Sequence, residues 1–125
     1  MYLLDSNILI YSLADHEDLL LHLSDLQQEW FYISAISRME ILVGVDKQGL
    51  SRNDTLSMLE SIRTFPVTEE IVDLASEIFV QKHLGKSYFK DVIIAATAMI
   101  HNATLITADK GFKKFKGLEV RFLEI

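Results

Sequence analysis

Short apolar runs alternate along this chain with longer segments in which apolar residues recur at helical spacing. The runs typical of β-strands are Tyr2–Leu4, Phe31–Ile33, Thr104–Thr107 and Leu118–Phe122, with Thr64–Val67 as a short edge strand at best because it contains Pro66. The helical segments begin near Ile8, cover Asp15–Trp30 and Ala35–Asp46, resume at Ser51 or Asn53, run from Thr68 to about His83, and end with Tyr88–His101.

Residues at the ends of these segments support the helix boundaries. Ser34 and Thr68 carry hydroxyl groups that can accept a hydrogen bond from a first helical turn, and Asn102 suits a left-handed cap. Because strands alternate with helices, the pattern predicts an α/β fold with a mostly parallel central sheet and helices on both of its faces. With 125 residues, the chain is expected to form a single domain over residues 1–125.

The amino-acid composition limits the cellular compartment and the types of chemical site that we expect for this protein. Half of the residues are hydrophobic, which suffices for a sizeable core, and there is no Cys to form a disulfide, a thiolate metal site or a thiol nucleophile. Residues 1–20 lack the basic start of a signal peptide, and the longest apolar run, Val92–Ile100, is far shorter than the roughly 20 residues of a membrane span. We therefore expect a cytoplasmic protein with no membrane segment.

The net charge of −6 is unevenly distributed. Residues 1–37 contain six acids and no Lys or Arg, whereas the rest of the chain carries 12 acids and 12 bases, with lysines concentrated before Asp91 and near the C-terminus. Because local rather than net charge attracts a polyanion, a basic surface for nucleic acid is compatible with this composition. An ordinary solvated surface explains the same lysines equally well.

Four acids lie where the carboxyl ends of parallel strands are expected to meet. Asp5 directly follows the first strand, and Glu40 lies in the first turns of the helix after the second strand. Asp91 begins the apolar part of the last helix, and Asp109 follows the strand Thr104–Thr107 by two residues. In open α/β sheets, ligands bind outside these strand ends. The sequence therefore predicts that the four carboxylates share one cleft.

Each acid also has a purely structural explanation. Asp5 could cap the helix that follows it, and Asp91 could complement a helix dipole. Glu40 could pair with Arg38 or Lys47. Asp109 could be an ordinary turn residue. Four separate coincidences would be needed to place all of them at one edge of one sheet, which favours a shared site.

Carboxylates gathered in one cleft repel each other unless a cation lies between them. Two of them about 4 Å apart repel by roughly 1–4 kcal/mol at effective dielectric constants of about 80 to 20. Hard oxygen ligands select Mg²⁺ or Mn²⁺, which pairs naturally with a substrate phosphate and can activate a water for phosphodiester cleavage. The residues alone therefore predict a metal-dependent hydrolase that acts on a phosphate ester.

Four segments, in this order, resemble the PIN-domain nucleases. They are Leu4–Ile10, Ser37–Leu42, Asp91–Ala98, and Thr107–Asp109 with Phe112. The resemblance covers nearly the whole chain and implies a three-layer α/β/α sandwich and a ribonuclease that uses Mg²⁺ or Mn²⁺. It implies catalytic and metal-binding roles for Asp5, Glu40, Asp91 and Asp109, with Asn7, Ser37 and Thr107 as supporting groups.

A PIN domain of this size resembles the VapC-type toxins of type II toxin–antitoxin pairs. This implies an RNA substrate, a small antitoxin protein as partner and a homodimer. Two positions depart from the family pattern: Gly111 stands where many relatives carry a further acid, which puts a second metal ion in doubt, and Ser6 conservatively replaces a common Thr. The RNA would be contacted by the basic residues that flank the cleft, Arg38, Lys86, Lys90, Lys110, Lys113 and Lys114.

Two other functions stay open on the sequence. The chain could be a catalytically weak or inactive PIN fold that serves as a binding module, although it retains all four acids. It could also be a receiver domain phosphorylated on Asp, but Ser6 and Asn7 follow Asp5 where a receiver needs an acidic pair, and Lys110 is badly spaced for the receiver lysine.

Overall fold

The computed structural model describes residues 1–13 and 30–124, which form an α/β fold around a five-stranded sheet. The strands are β1 (Tyr2–Leu4), β2 (Phe31–Ser34), β3 (Arg63–Phe65), β4 (Thr104–Thr107) and β5 (Val120–Phe122). In sheet order β3-β2-β1-β4-β5, every neighbouring pair of strands is parallel. This confirms the predicted parallel sheet, with its short strand near Pro66 at one edge.

The helices of the described residues also follow the sequence pattern. The predicted helix over Asp15–Trp30 lies outside the described residues except for Trp30. A short 3₁₀ helix, Lys86–Tyr88, precedes the last α-helix, and another, Lys110–Lys114, follows β4. The α-helices are α1 (Ser6–Leu13), α2 (Ala35–Lys47), α3 (Arg52–Glu60), α4 (Glu69–Gln81) and α5 (Phe89–His101).

Capping residues set the observed helix ends. The hydroxyl oxygen of Ser34 accepts a hydrogen bond from the backbone N–H of Ile36 at 3.3 Å, and that of Thr68 accepts one from Ile71 at 3.3 Å. Asn102 ends α5 in the left-handed conformation, with φ 56° and ψ 38°. These local contacts explain why the boundaries could be predicted to within a few residues.

Successive side chains of each strand point to opposite faces of the sheet, so the sheet separates two apolar cores. Leu3 and Leu105 face the core formed with α4 and α5, whereas Leu4 and Ile106 face the core formed with α1, α2 and α3. Helices therefore cover both faces, which confirms the three-layer α/β/α arrangement. No described helix is long and apolar enough to cross a membrane.

The strand order places a crevice between β1 and β4. From β1 the chain moves outward to β2 and β3, and it then returns to the other side of β1 to form β4 and β5. The two halves of the sheet thus diverge at the boundary between β1 and β4. Open α/β sheets bind ligands outside the carboxyl ends of the strands at such a point, and Asp5 and Thr107 lie there.

Candidate active site

Asp5 lies at the end of β1, where the chain turns directly into α1. Its side chain is only 4% exposed, and each carboxylate oxygen accepts one hydrogen bond. The backbone N–H of Ser6 donates to Oδ1 at 2.8 Å, and the hydroxyl of Thr107 donates to Oδ2 at 2.7 Å. Because the Thr107 hydroxyl comes from the end of the neighbouring strand β4, the carboxylate is held in place across the crevice.

The hydroxyl of Thr107 also connects Asp5 to Asp109. It accepts a hydrogen bond from the backbone N–H of Asp109 at 3.0 Å, while Asp109 Oδ1 accepts one from Gly111 N–H at 2.8 Å. Asp109 therefore has the turn-forming role considered for it, as the cap of a 3₁₀ helix, and lies beside the site as well. A Cβ at position 111 would lie 3.0 Å from the same oxygen, so the glycine leaves space for the Asp109 carboxylate.

Glu40 reaches the site from α2 and is held by two partners. The hydroxyl of Ser6 donates to Oε1 at 3.2 Å, and the ammonium of Lys90 lies 2.8 Å from Oε2. The proposed pairing of Glu40 with Arg38 or Lys47 was wrong, because Lys90 takes that place from the first turn of α5. Arg38 lies instead near Thr64, to whose hydroxyl it donates at 3.4 Å.

Asp91 lies in the first turn of α5 and is half-buried. Its carboxylate makes no hydrogen bond to any of the described residues. Burial raises its pKa, the adjacent Lys90 lowers it, and the negative charges of Asp109, Asp5 and Glu40 raise it further. The pKa of Asp91 therefore depends on the negative charge of each of the other three acids.

The charged forms of Asp5 and Asp91 are unfavourable in the folded chain. Burial is the main reason that the pKa of Asp5 is raised above its ordinary value of 3.8, and its hydrogen bonds from Thr107 and Ser6 offset part of that effect. Conversely, the hydrogen bond to Glu40 raises the pKa of Lys90 and keeps its ammonium charged. A cation near these acids is therefore favoured, and Lys90 already supplies one.

Ser6 was considered from the sequence only as a conservative departure from the family pattern, yet it contacts two of the acids. Ser6 is buried and bridges Asp5 and Glu40, and its place beside Asp5 was the available signal. Ser37 is fully buried, yet its Oγ has no hydrogen-bond partner among the described residues, and Asn7 is exposed. Thr107 contacts both Asp5 and Asp109, whereas the supporting roles implied for Ser37 and Asn7 stay predictions.

Comparison with known proteins identifies the family. A family model described as the PIN domain matches residues 2–118. The chain belongs to the PIN-domain family. PIN domains are nucleases, and they generally use divalent metal ions. No curated protein gives a significant match to the chain.

Several solved structures that resemble this chain come from toxin–antitoxin systems. VapBC2 from Rickettsia felis, solved with a fragment of promoter DNA, has 25% identity, a TM-score of 0.80 and 98% coverage of both chains. FitAcB from Neisseria gonorrhoeae has 28% identity, a TM-score of 0.78 and coverage of 98% of this chain and 97% of that chain. A toxin–antitoxin complex from Klebsiella pneumoniae has 27% identity, a TM-score of 0.78 and coverage of 94% and 95%.

The donor set of this PIN domain fits the divalent ion that the family uses. Its carboxylates supply the hard oxygen ligands that Mg²⁺ and Mn²⁺ prefer. Burial, followed by the charge of neighbouring acids, raises the pKa values of Asp5 and Asp91, although Lys90 lowers both, so a further cation would favour their charged forms. Among the described residues, however, no three His, Cys, Asp or Glu side chains are already gathered closely enough to hold a metal. Ion binding would therefore require these side chains to move closer together.

Thr107→Val is expected to lower the free energy of unfolding of the metal-free PIN domain by about 1–3 kcal/mol, because it leaves the buried Asp5 Oδ2 without its donor and Asp109 N–H without its acceptor. Urea unfolding measures this loss. Thr97→Val is the matched control, since Thr97 is equally buried but donates only to the Ile93 carbonyl of its own helix. Equal losses in both variants would show that the hydrogen bond from Thr107 to Asp5 stabilises the fold no more than a hydrogen bond within one helix does.

Proposed function

We propose that this PIN domain is an endoribonuclease that requires Mg²⁺ or Mn²⁺ and acts as the cytoplasmic toxin of a type II toxin–antitoxin pair. The observation that carries the proposal is the link from Glu40 through Ser6 to Asp5, and from Asp5 through Thr107 to Asp109. This link connects the ends of β1 and β4 with helix α2 and brings Asp5, Glu40 and the backbone of Asp109 together at the crevice between β1 and β4.

In this proposal the metal is held by Asp5, Glu40, Asp91 and Asp109. Asp5 keeps lone pairs on both oxygens after accepting one hydrogen bond on each, and the Asp91 carboxylate accepts none from the described residues. A bound Mg²⁺ or Mn²⁺ would supply the positive charge that activates water and stabilises the leaving oxygen of a phosphodiester. Ser6 and Thr107 orient the carboxylates, and burial of Asp5 strengthens its attraction for the ion.

The basic residues that we propose to contact RNA lie on both sides of this site. The ammonium of Lys114 lies 3.5 Å from the centroid of the Tyr88 ring, which brings the two 3₁₀ helices together. Lys86 and Lys110 are exposed on these helices, and Lys113 lies over Phe122 at 5.5 Å. Arg38 belongs to the opposite side, next to β3. Such residues would position the phosphate backbone without selecting its sequence.

We further propose an antitoxin protein and a second copy of this chain as partners. The solved relatives include complexes of toxin–antitoxin pairs, among them VapBC2 and FitAcB. Large apolar side chains are exposed on two separate parts of this chain, with Met39 and Val43 on α2, and Val80 and Phe89 on α4 and α5. Exposed apolar side chains of this kind are typical of protein interfaces.

Cleavage of a circular RNA tests the proposed activity, because only an endonuclease can open a circle. The purified protein is expected to linearise the circle with Mn²⁺ or Mg²⁺, to lose this activity in excess EDTA, and to regain it when Mn²⁺ is restored in excess. A circular single-stranded DNA of the same sequence is the matched control. Undiminished cleavage in EDTA would contradict the metal requirement, and absence of cleavage under all conditions would favour the binding-module alternative.

A further inference from the structure

Lys90 places a positive charge inside the acidic site. Its ammonium lies 2.8 Å from Oε2 of Glu40, and its charge also acts on Asp5 and Asp91. In the described part of the chain, the other basic residues proposed to contact RNA form no ion pair with the four acids. Lys90 therefore has a role in the site that the neighbouring lysines do not share.

We propose that Lys90 is the internal counter-ion of the metal-free site and that it competes with the divalent ion for Glu40. This inference rests on the proposed metal-dependent function. It assigns to Lys90 a part in metal loading in addition to any contact with RNA, and it explains why the carboxylates lie near one another without forming a ready-made metal cage.

The contacts of Glu40 make this competition direct. Oε1 accepts a hydrogen bond from the hydroxyl of Ser6, and Oε2 lies against the ammonium of Lys90, so each oxygen already has one partner. A metal ion that binds Glu40 through Oε2 would lie close to the Lys90 ammonium, and the repulsion between the two cations disfavours their sharing this oxygen. Metal binding to this chain therefore includes the cost of weakening the pair between Lys90 and Glu40.

The side chain of Lys90 is well suited to leave. It is 43% exposed, compared with 24% for Glu40, so the ammonium can regain water when it moves out. A lysine carries its charge on a flexible four-carbon stem and binds as a point charge rather than through a rigid fork. Lys90 can therefore balance the negative charge of Glu40 and still move into solvent when a metal ion binds.

Direct measurement of Mn²⁺ binding tests the competition. Electron paramagnetic resonance counts free Mn²⁺ during titration of the wild type, Lys90→Gln and Lys116→Gln. We expect Lys90→Gln to bind Mn²⁺ roughly three to ten times more tightly than the wild type, because the competing cation is gone. Lys116→Gln removes the same charge from an exposed residue that pairs with none of the four acids and is expected to change the Kd by less than about twofold.

A Glu40→Gln background shows whether the effect runs through this ion pair. There, Lys90→Gln is expected to change the Mn²⁺ affinity much less than in the wild-type background, because Glu40 no longer attracts either cation. A gain of the same size in both backgrounds would mean that Lys90 acts only by general repulsion, which would overturn direct competition for Glu40.

The possible outcomes separate this inference from the proposed function. If the wild type binds Mn²⁺ and Lys90→Gln binds it with equal or lower affinity, the role of Lys90 is refuted, but the metal site is not. Binding by Lys90→Gln alone would support strong competition. If no variant bound Mn²⁺, the metal site itself would be refuted, and the competition with it.

Discussion

Asp5→Asn is expected to abolish RNA cleavage, with a loss of at least about 100-fold, while the PIN fold remains intact. The substitution keeps the size of the side chain and an oxygen for the N–H of Ser6. It removes the negative charge at the position that links the ends of β1 and β4. The measurement is the initial rate of RNA cleavage in Mn²⁺, together with urea unfolding of the metal-free protein.

The unfolding measurement separates a catalytic role for Asp5 from a structural one. Burial makes the charged form of Asp5 unfavourable, so the metal-free variant should be at least as stable as the wild type at neutral pH. Asp46→Asn is the matched control, because it removes an exposed acid whose only ion pair among the described residues is the loose contact with Arg52 at 3.8 Å. Unchanged cleavage in Asp5→Asn would refute the proposed role of this carboxylate.

Asp91→Ala is expected to have opposite effects on the metal-free and metal-bound protein. Without metal, the variant should be more stable than the wild type at neutral pH, because burial and neighbouring acids disfavour the charge on Asp91. With Mn²⁺ at about 100 times its Kd, the wild type should gain about 2.7 kcal/mol of stability, and the variant should lose most of that gain. Thermal unfolding with and without Mn²⁺ measures both effects.

The pH dependence gives a second check on Asp91. Because its pKa is higher in the folded chain than the ordinary 3.8, the folded state holds the proton more tightly, and stability falls as the pH rises from 3.8 through the raised pKa. The advantage of Asp91→Ala should therefore be small in acid and full above that range. A metal-free variant that is clearly less stable than the wild type at neutral pH would show that the favourable position of Asp91 at the start of α5 is more important.

The sequence by itself determined most of the fold and predicted which acids form the site. Apolar spacing and capping residues such as Thr68 act between neighbours in the chain, so the helix and strand boundaries followed from local chemistry. Alternation of strands and helices then required a parallel sheet, whose strand ends share one edge. The positions of Asp5, Glu40, Asp91 and Asp109 relative to those ends were therefore visible without a structure.

Only the tertiary structure decided which side chains contact these acids. Glu40 pairs with Lys90, 50 residues further along the chain, because α2 lies against α5, and no local periodicity encodes that contact. The polar residues of α1 were equally hard to rank, since Ser6 faces the site whereas Asn7, one helical position further, is exposed. Residue type and spacing thus predicted the acidic site, whereas the packing of elements distant in sequence determined its contacts and its internal cation.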